Sequence, residues 1–355
     1  MGKNIYTRMG DGQRVAMSPE EVREDLIAGT YDAAQRANIP ELTSDDIDQL
    51  QDIFADTAKA VCVSTGEELI VTDDAVATLF YLDQENCGQG LPMGRVQSLL
   101  AYERACCADT ISTGHTDYSF KQVKPIINFE KQEYYNASML TTAPFFYGSQ
   151  PNMGLYFRPD GPHPNPADLL PSGKIKAAQE AQEGAARQLK KDLVYVGNQM
   201  YHVGCEGLNF DTTASAGDAD FLATLQAVSE LKKQTRNMAI EVGMSSEFVM
   251  GMHGEITFNG KQLAGMFPHE QVNVVEEAGA DIFGPAINVN VRESTPWNLA
   301  RAVTFVKACV AVANIPVHPN VGMGVCGVPM FEVPPIDAVT RTSKALALIG
   351  KADGL

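Results

Sequence analysis

The sequence predicts an α/β protein whose parallel strands form a (β/α)8 barrel of the TIM type. From about residue 95 onward, helix-like segments alternate with short apolar segments of strand length, and the composition does not change along this stretch. The links are short and carry glycine near the helix end, as in GCEGL at 204–208 and GADI at 279–282. A barrel is the economical way to close about seven such units, and an open doubly wound sheet is the alternative.

Residues 1–60 are predicted to form a helical extension in front of the barrel, which would span residues 61–355. Ser18 is followed three residues later by Glu21, the pattern of a capping box, with a proline at the first helical position. Thr43 precedes a second run with apolar residues at helical spacing. We favour a packing role for this extension.

The predicted elements follow one another with short connections. Strand-like stretches lie at 60–63, 68–71, 109–112, 143–148, 208–211, 238–242, 281–287 and 315–320, and helices at 96–105, 129–139, 175–201, 221–233, 271–278, 297–313 and 335–347. The stretch 151–166 is rich in proline and glycine, so it is predicted to be an irregular loop, a kind of segment that is often functional.

The last five residues, KADGL, resemble the two turn sequences above, but no strand follows them. The barrel is therefore expected to be incomplete at its C-terminus and to lack its last strand or strands, with Leu355 equivalent to Leu208 and Ile282. Because successive strand residues face opposite sides, Asn209 and Asp211 should face the inside of the barrel. The residue after Leu355 would align with Asn209 and point toward a site.

Composition and charge exclude several classes of function. The chain has 44 Asp and Glu against 27 Lys and Arg, a net charge of −17, and lacks basic clusters, so a nucleic-acid partner is not expected. An acidic surface suits a cationic ligand, although it more often serves solubility alone. The seven cysteines are scattered without a C-x-x-C pair, which favours a reducing compartment. With no apolar signal region and no run of roughly 20 apolar residues, a cytoplasmic protein without membrane contact is predicted.

Candidate site residues are the polar ones that follow apolar strands, because ligands bind at the carboxyl ends of parallel strands. Asp211 and Glu241 are the predicted catalytic residues, since two carboxylates in a barrel mouth can take a proton from an ammonium ion or hold a cation. A role in capping helix N-termini has equal weight for either carboxylate alone. The predicted substrate-binding residues are Tyr118, Tyr147, Asn209, Asn288 and His318.

Two other signals are set aside. GMGVCG at 322–327 matches G-x-G-x-x-G, but three prolines at 328–335 stand where the dinucleotide fold needs a helix, so NAD is not expected. The six histidines include no H-E-x-x-H motif, and no metal site is predicted.

Several longer segments resemble one known family. They are RMGDG at 8–12, DYSF at 117–120, PNMGLY at 151–156, NFDTT at 209–213, EVGM at 241–244, GMHGE at 251–255, WNLARAVTF at 297–305 and PIDAVTR at 335–341. Together, and in this order, they are similar to the dimethylamine:corrinoid methyltransferases, the pyrrolysine-containing methylamine methyltransferases of methanogenic archaea and some bacteria. The resemblance spans nearly the whole chain.

The resemblance implies transfer of a methyl group from dimethylamine to the cobalt(I) corrinoid of a cognate partner protein, giving monomethylamine, in methanogenesis from methylamines. No tightly bound cofactor is implied, because the partner supplies the corrinoid. Family members carry pyrrolysine, encoded by an in-frame amber codon, after a segment that ADGL at 352–355 resembles. Its imine is an electrophile that can add the amine nitrogen and hold it in register with the corrinoid.

The chain is accordingly expected to stop just before the pyrrolysine and to be inactive as given, and the full-length form is expected to be a homo-oligomer. Asp211 and Glu241 are candidates by geometry for attracting dimethylammonium and accepting its proton, and the resemblance itself assigns neither. Two alternatives stay open. One is a non-catalytic fragment that binds the corrinoid protein, and the other is a methyltransferase for another methylated amine.

Overall fold

Strands and helices alternate along the chain in the computed structural model, which describes residues 4–67, 69, 145–146, 150–235, 237–322, 324–331 and 335–355. The elements in chain order are β1 (Ile5–Arg8), β2 (Arg14–Met17), α1 (Pro19–Ala37), α2 (Ser44–Ala55), β3 (Phe145–Phe146), α3 (Pro166–Leu169), α4 (Ile175–His202), β4 (Gly207–Phe210), α5 (Asp218–Gln234), β5 (Ala239–Ser245), β6 (Thr257–Phe258), β7 (Lys261–Gln262), α6 (Pro268–Ala278), β8 (Ile282–Pro285), α7 (Thr295–Val312) and α8 (Ile336–Ala345). Short 3₁₀ turns lie at Met153–Tyr156 and Leu170–Ser172, and a π-helical turn at Leu346–Gly350. The predicted alternation of helix and strand from residue 175 onward is confirmed.

The central sheet is parallel, with its strands in the order β3, β4, β5, β8. Residues 316–318 extend it beyond β8, because Phe283 N donates to Pro316 O at 3.0 Å and His318 N donates to Phe283 O at 2.8 Å. Asn320 N continues this ladder by donating to Pro285 O at 3.3 Å, so the predicted strand at 315–320 is present as a short pairing with β8. The parallel α/β class is confirmed, whereas the sheet does not close within the described residues, so the eight-stranded barrel stays a prediction.

Capping side chains set the starts of the first two helices, as predicted. Ser18 Oγ accepts from Glu21 N at 3.2 Å while Glu21 Oε2 accepts from Ser18 N at 2.7 Å, which satisfies two N–H groups at the start of α1. Thr43 and Asp46 form the same reciprocal pair before α2. Helix α1 ends where Asn38 adopts the left-handed conformation with φ 52°.

The N-terminal extension also contains a β-hairpin, which the helical prediction for residues 1–60 missed. Strands β1 and β2 pair antiparallel, with Ile5 opposite Met17 and Arg8 opposite Arg14. The side chains of Ile5 and Thr7 are buried while Tyr6 is exposed, the alternation expected of a strand covering a core. In the other direction, the stretch 60–63 is not a strand.

Helix α1 packs closely against α7. A Cβ atom at Gly29 would lie 2.1 Å from the carbonyl oxygen of Trp297, so only glycine allows the two backbones to approach this far. Thr304 Oγ1 donates to Thr30 Oγ1 at 2.9 Å across the same contact. The N-terminal extension is thus joined to the helical layer that covers the sheet.

One face of the sheet packs into the hydrophobic core of the described structure. Leu208, Phe210, Ile240, Val242 and Phe283 are fully buried on β4, β5 and β8, and they belong to one apolar cluster with the surrounding helices. Among the helices described, none combines the length and apolar character needed to cross a membrane. Because successive strand residues face opposite sides, the residues between these apolar ones lie on the other face of the sheet, where the polar side chains are found.

Candidate active site

Two predicted site residues are neighbours on adjacent strands. The register of β4 and β5 pairs Asn209 with Glu241, and both residues are 3 % exposed. They alternate with the apolar residues of the core face, so they share the other face of the sheet. A buried amide and a buried carboxyl group next to one another are costly unless they are bonded, which makes this face a candidate site.

The carboxyl group of Glu241 reaches His318. Glu241 Oε1 lies 3.3 Å from His318 Nδ1, and the two side chains are 4 % and 8 % exposed. Strand β8 runs between β5 and the segment 316–318, so this contact crosses a whole strand. The position crossed is Gly284, where a Cβ atom would lie 3.1 Å from Glu241 Oε1 and 2.9 Å from the carbonyl oxygen of His318. The missing side chain at Gly284 allows the acid and the imidazole to meet.

A second glycine makes room for the amide. A Cβ atom at Gly243 would lie 2.3 Å from Asn209 Nδ2, so the side chain of Asn209 leans over β5 in the way that Glu241 leans over β8. Sequence reasoning gave these two glycines no role of their own. The available signal was the small residue two positions after Glu241 and in the middle of the apolar strand β8.

Asp211 directly follows β4 and is half-buried. The chain turns sharply after it, because Thr212 and Ala214 adopt left-handed conformations with φ 51° and 62°. Thr213 Oγ1 closes this turn by donating to the carbonyl oxygen of Gly243 at 3.0 Å. The pair that the structure brings together is thus Glu241 with His318, and the catalytic role of Asp211 stays a prediction.

A second group of buried charges lies where β5 and β8 lead into their loops. Arg301 Nη1 donates to Glu247 Oε2 at 2.9 Å, its Nη2 also bonds Glu247 Oε1, and its Nε donates to Asp32 Oδ2 at 2.7 Å. Its guanidinium also stacks over the ring of Phe305, 5.2 Å from the centroid. Burial lowers the pKa of Arg301, but the bonds to Glu247 and Asp32 outweigh it and raise that pKa above its ordinary value.

Asn288 belongs to this second group through its backbone. Its N–H donates to Glu247 Oε2 at 3.1 Å, its carbonyl oxygen accepts from Arg301 Nη1 at 3.3 Å, and its side chain is exposed. The structure therefore gives the backbone of Asn288 a structural part, and substrate binding by its amide stays a prediction.

The chain matches one family of proteins over almost its entire length. The family model described as dimethylamine methyltransferase covers residues 3–355. The chain belongs to the dimethylamine methyltransferase family. No solved structure matches it.

The remaining predicted residues of this dimethylamine methyltransferase chain are Tyr118 and Tyr147, and both lie outside the described residues. Asn209, Glu241 and His318 are thus the predicted residues that the structure brings to one face. In the part of the chain that the structure describes, no group of three His, Cys, Asp or Glu side chains is arranged to hold a metal ion.

Two thiols, those of Cys309 and Cys326, are buried near the second charge group. Burial raises the pKa of Cys326 to about 12, and burial likewise raises the pKa of Cys309. Because a thiolate is the nucleophilic form, burial disfavours that form of both side chains.

Proposed function

We propose that this chain belongs to an enzyme that transfers a methyl group from dimethylamine to the cobalt(I) corrinoid of a cognate partner protein and releases monomethylamine. The family membership supports the reaction class. The observation that carries the proposal is the buried pair of Glu241 and His318, 3.3 Å apart on the polar face of the sheet.

The pair is suited to a small secondary ammonium ion. Dimethylammonium carries one positive charge and two N–H donors, and a buried carboxylate attracts such a cation more strongly than an exposed one would. Glu241 supplies the negative charge, and the amide oxygen of Asn209 on the neighbouring strand can accept a hydrogen bond. His318 supplies a ring nitrogen that can accept a proton.

Proton transfer is the second task of these residues. A protonated amine has no lone pair, so the nitrogen must lose a proton before it can act as a nucleophile or be activated. We assign this step to Glu241 and His318, which hold the proton and return it to the leaving nitrogen as the carbon–nitrogen bond breaks. The corrinoid of the partner accepts the methyl group, and both electrons of the broken bond stay on monomethylamine.

Other features predicted from the sequence, some from strand ends and composition and some from the family resemblance, remain part of the proposal. The corrinoid resides on the partner protein, and this chain holds no tightly bound cofactor. Asp211 is a further candidate base, and Tyr118, Tyr147 and Asn288 are candidate substrate contacts. A homo-oligomer of the full-length form and a cytoplasmic location are likewise proposed.

Binding of dimethylammonium by the 355-residue chain is the first test, measured by isothermal titration calorimetry. We expect Glu241→Gln, which keeps the shape and removes the charge, to weaken binding by about tenfold or more. Glu67→Gln is the matched control, because that carboxylate lies in an exposed turn. Equal affinity of the wild type and Glu241→Gln would contradict the assignment. Tighter binding of mono- or trimethylammonium would favour a different methylated amine as the substrate.

Turnover is the second test. The purified 355-residue chain is mixed with the reduced corrinoid protein and dimethylamine, and loss of the cobalt(I) absorption and release of monomethylamine are followed. The same assay is run on the product of the gene in a host that encodes pyrrolysine. We expect methyl transfer by the second preparation, and its absence there would contradict the proposed reaction. A pull-down with the corrinoid protein in the absence of any turnover would support the non-catalytic alternative.

A further inference from the structure

Asp281 ties β8 to β5 one residue before Glu241. Its N–H donates to the carbonyl oxygen of Ile240 at 2.8 Å, and its Oδ2 accepts from the N–H of Ile240 at 2.7 Å. Asp281 precedes the first residue of β8. A single aspartate therefore satisfies both main-chain groups of Ile240, the residue directly before the proposed base.

Asp353 does the same one residue before His318. Its N–H donates to the carbonyl oxygen of Val317 at 3.0 Å, and its Oδ2 accepts from the N–H of Val317 at 2.9 Å. The two aspartates thus make the same two bonds with similar lengths. They also occupy the same place in similar sequences, GAD at 279–281 and KAD at 351–353.

Neither carboxylate is placed there by burial. The side chain of Asp281 is 40 % exposed and also binds Lys232 Nζ at 2.8 Å, and Asp353 is exposed. In an ordinary parallel ladder a main-chain carbonyl group accepts from each of these two N–H groups. A side-chain acceptor has replaced it in both places, next to the two residues that form the buried pair.

We infer that Asp281 and Asp353 are positioning residues that set the approach of Glu241 to His318, an inference that rests on the proposed function. The contact between Glu241 and His318 depends on the relative register of three neighbouring segments. A slip of one residue would turn either side chain to the apolar face. Asp281 fixes β5 against β8, and Asp353 fixes the segment 316–318 on its other side.

We call the two hydrogen bonds of Asp353 to the main chain of Val317, and those of Asp281 to Ile240, clamps. Two substitutions at Asp353 separate the geometry of its clamp from the charge of the carboxylate. Asp353→Asn keeps an oxygen acceptor at the same distance and removes the charge, whereas Asp353→Glu keeps the charge and moves the acceptor by one methylene group. We expect the glutamate variant to weaken dimethylammonium binding by roughly threefold to tenfold and the asparagine variant to stay within about twofold of the wild type. Asp281→Glu and Asp281→Asn should show the same order.

The signature of the clamp is the environment of the His318 ring, followed by NMR of ring-labelled histidine. The chain has six histidines, and the His318 signal is the one lost in His318→Gln. In Asp353→Glu this signal should move toward its position in Glu241→Gln, because both changes take the carboxylate away from the ring. It should keep its wild-type position in Asp353→Asn.

Asp56→Ala is the matched control, because Asp56 Oδ1 accepts from Ala58 N at 2.9 Å in an exposed turn outside the sheet. It should leave the ring signal and binding unchanged. The inference is overturned if the glutamate variants leave the ring signal in place, or if they lower the unfolding temperature without moving it. Displacement by asparagine but not by glutamate would also overturn it, because charge would then be the cause.

The NMR measurement needs no ligand. Failure of the wild-type chain to bind dimethylammonium would therefore contradict the proposed function, while the His318 signal would still support or overturn the clamps.

Discussion

Two buried carboxylates, Glu241 within β5 and Glu247 two residues after its end, have different partners. Glu247 is 7 % exposed, and each of its carboxylate oxygens accepts a bond from the guanidinium of Arg301, which is always charged. Glu241 is 3 % exposed and lies 3.3 Å from the imidazole ring of His318, a type of group that has both a neutral and a charged form.

The chemical nature of its partner determines what each carboxylate can do. Arg301 also bonds Asp32 and the carbonyl oxygen of Asn288, so Glu247 is held in a network joining α1, α7 and two loops. Such a permanent ion pair has a structural role, since the charge of the Glu247 carboxylate is already neutralised by Arg301. A carboxylate paired with imidazole keeps the capacity to bind a cation or pass on a proton, and this is the capacity that methyl transfer from an ammonium ion requires.

The largest effect is expected from breaking the permanent pair. Arg301→Met should lower the free energy of unfolding by about 3–5 kcal/mol, because it leaves Glu247 buried without a cation. Urea denaturation measures it. Arg36→Met is the control, since Arg36 binds the same Asp32 at 2.9 Å from an exposed position and should cost less than about 0.5 kcal/mol. Similar losses of unfolding free energy in the two variants would show that the buried pair of Arg301 and Glu247 has no special structural role.

A third buried carboxyl group, that of Asp220, has no basic partner among the residues that the structure describes. Its oxygens accept from the amide of Gln150 at 3.0 Å and from Ala216 N at 3.0 Å. Burial raises its pKa from 3.8 to about 7, and the hydrogen bonds of Ala216, Gln150 and Ser215 offset only part of that effect. Asp220 is therefore protonated in the folded chain over a range in which it is ionised in the unfolded chain.

The raised pKa of Asp220 makes the free energy of unfolding depend on pH. Between the unfolded and folded pKa values the folded state binds more protons, so stability falls as pH rises through about 7. Relative to Asp220→Asn, the wild type should lose about 2 kcal/mol of unfolding free energy between about pH 5 and pH 7. Urea denaturation at both pH values measures it. Parallel pH profiles of the two proteins would show that Asp220 is ionised when folded.

The smallest effect is expected at Gly284, the glycine that lies between Glu241 and His318. In Gly284→Ala the new methyl group would lie 2.9 Å from the carbonyl oxygen of His318 and 3.1 Å from Glu241 Oε1, so both the His318 backbone and the carboxylate must move. We expect dimethylammonium binding to weaken by about tenfold. Gly322→Ala is the control, because the nearest heavy atom to its Cβ would be 3.9 Å away. Unchanged binding in Gly284→Ala would show that the pair does not need this opening.

Local patterns in the sequence predicted the elements well. The capping box at Ser18 and the helix start after Thr43 are correct, because each depends on bonds between residues three apart. The hairpin of β1 and β2 was missed, although the sequence Asp11-Gly12 is a common hairpin turn. Each strand has only four residues, too few for the alternation to stand out beside two strong helix signals.

The comparison of the three turn sequences was correct in kind but wrong in register. Leu208 and Ile282 were taken as equivalent, yet Leu208 pairs with Ile240 whereas Ile282 pairs with Glu241. The two residues therefore lie on opposite faces of the sheet. Register is set by hydrogen bonds between strands that are distant in sequence, so the length of a turn alone does not determine it.

The family, the parallel α/β class and the order of the elements follow from the sequence, because motifs and periodicity are properties of adjacent residues. The sequence also placed Glu241 and His318 among the candidates. Only the tertiary structure decided that these two residues meet, that Gly284 lies between them and that two aspartates clamp the neighbouring residues. Contacts across strands depend on register and on the space left by a missing side chain, and neither is set by the segment that carries the residue.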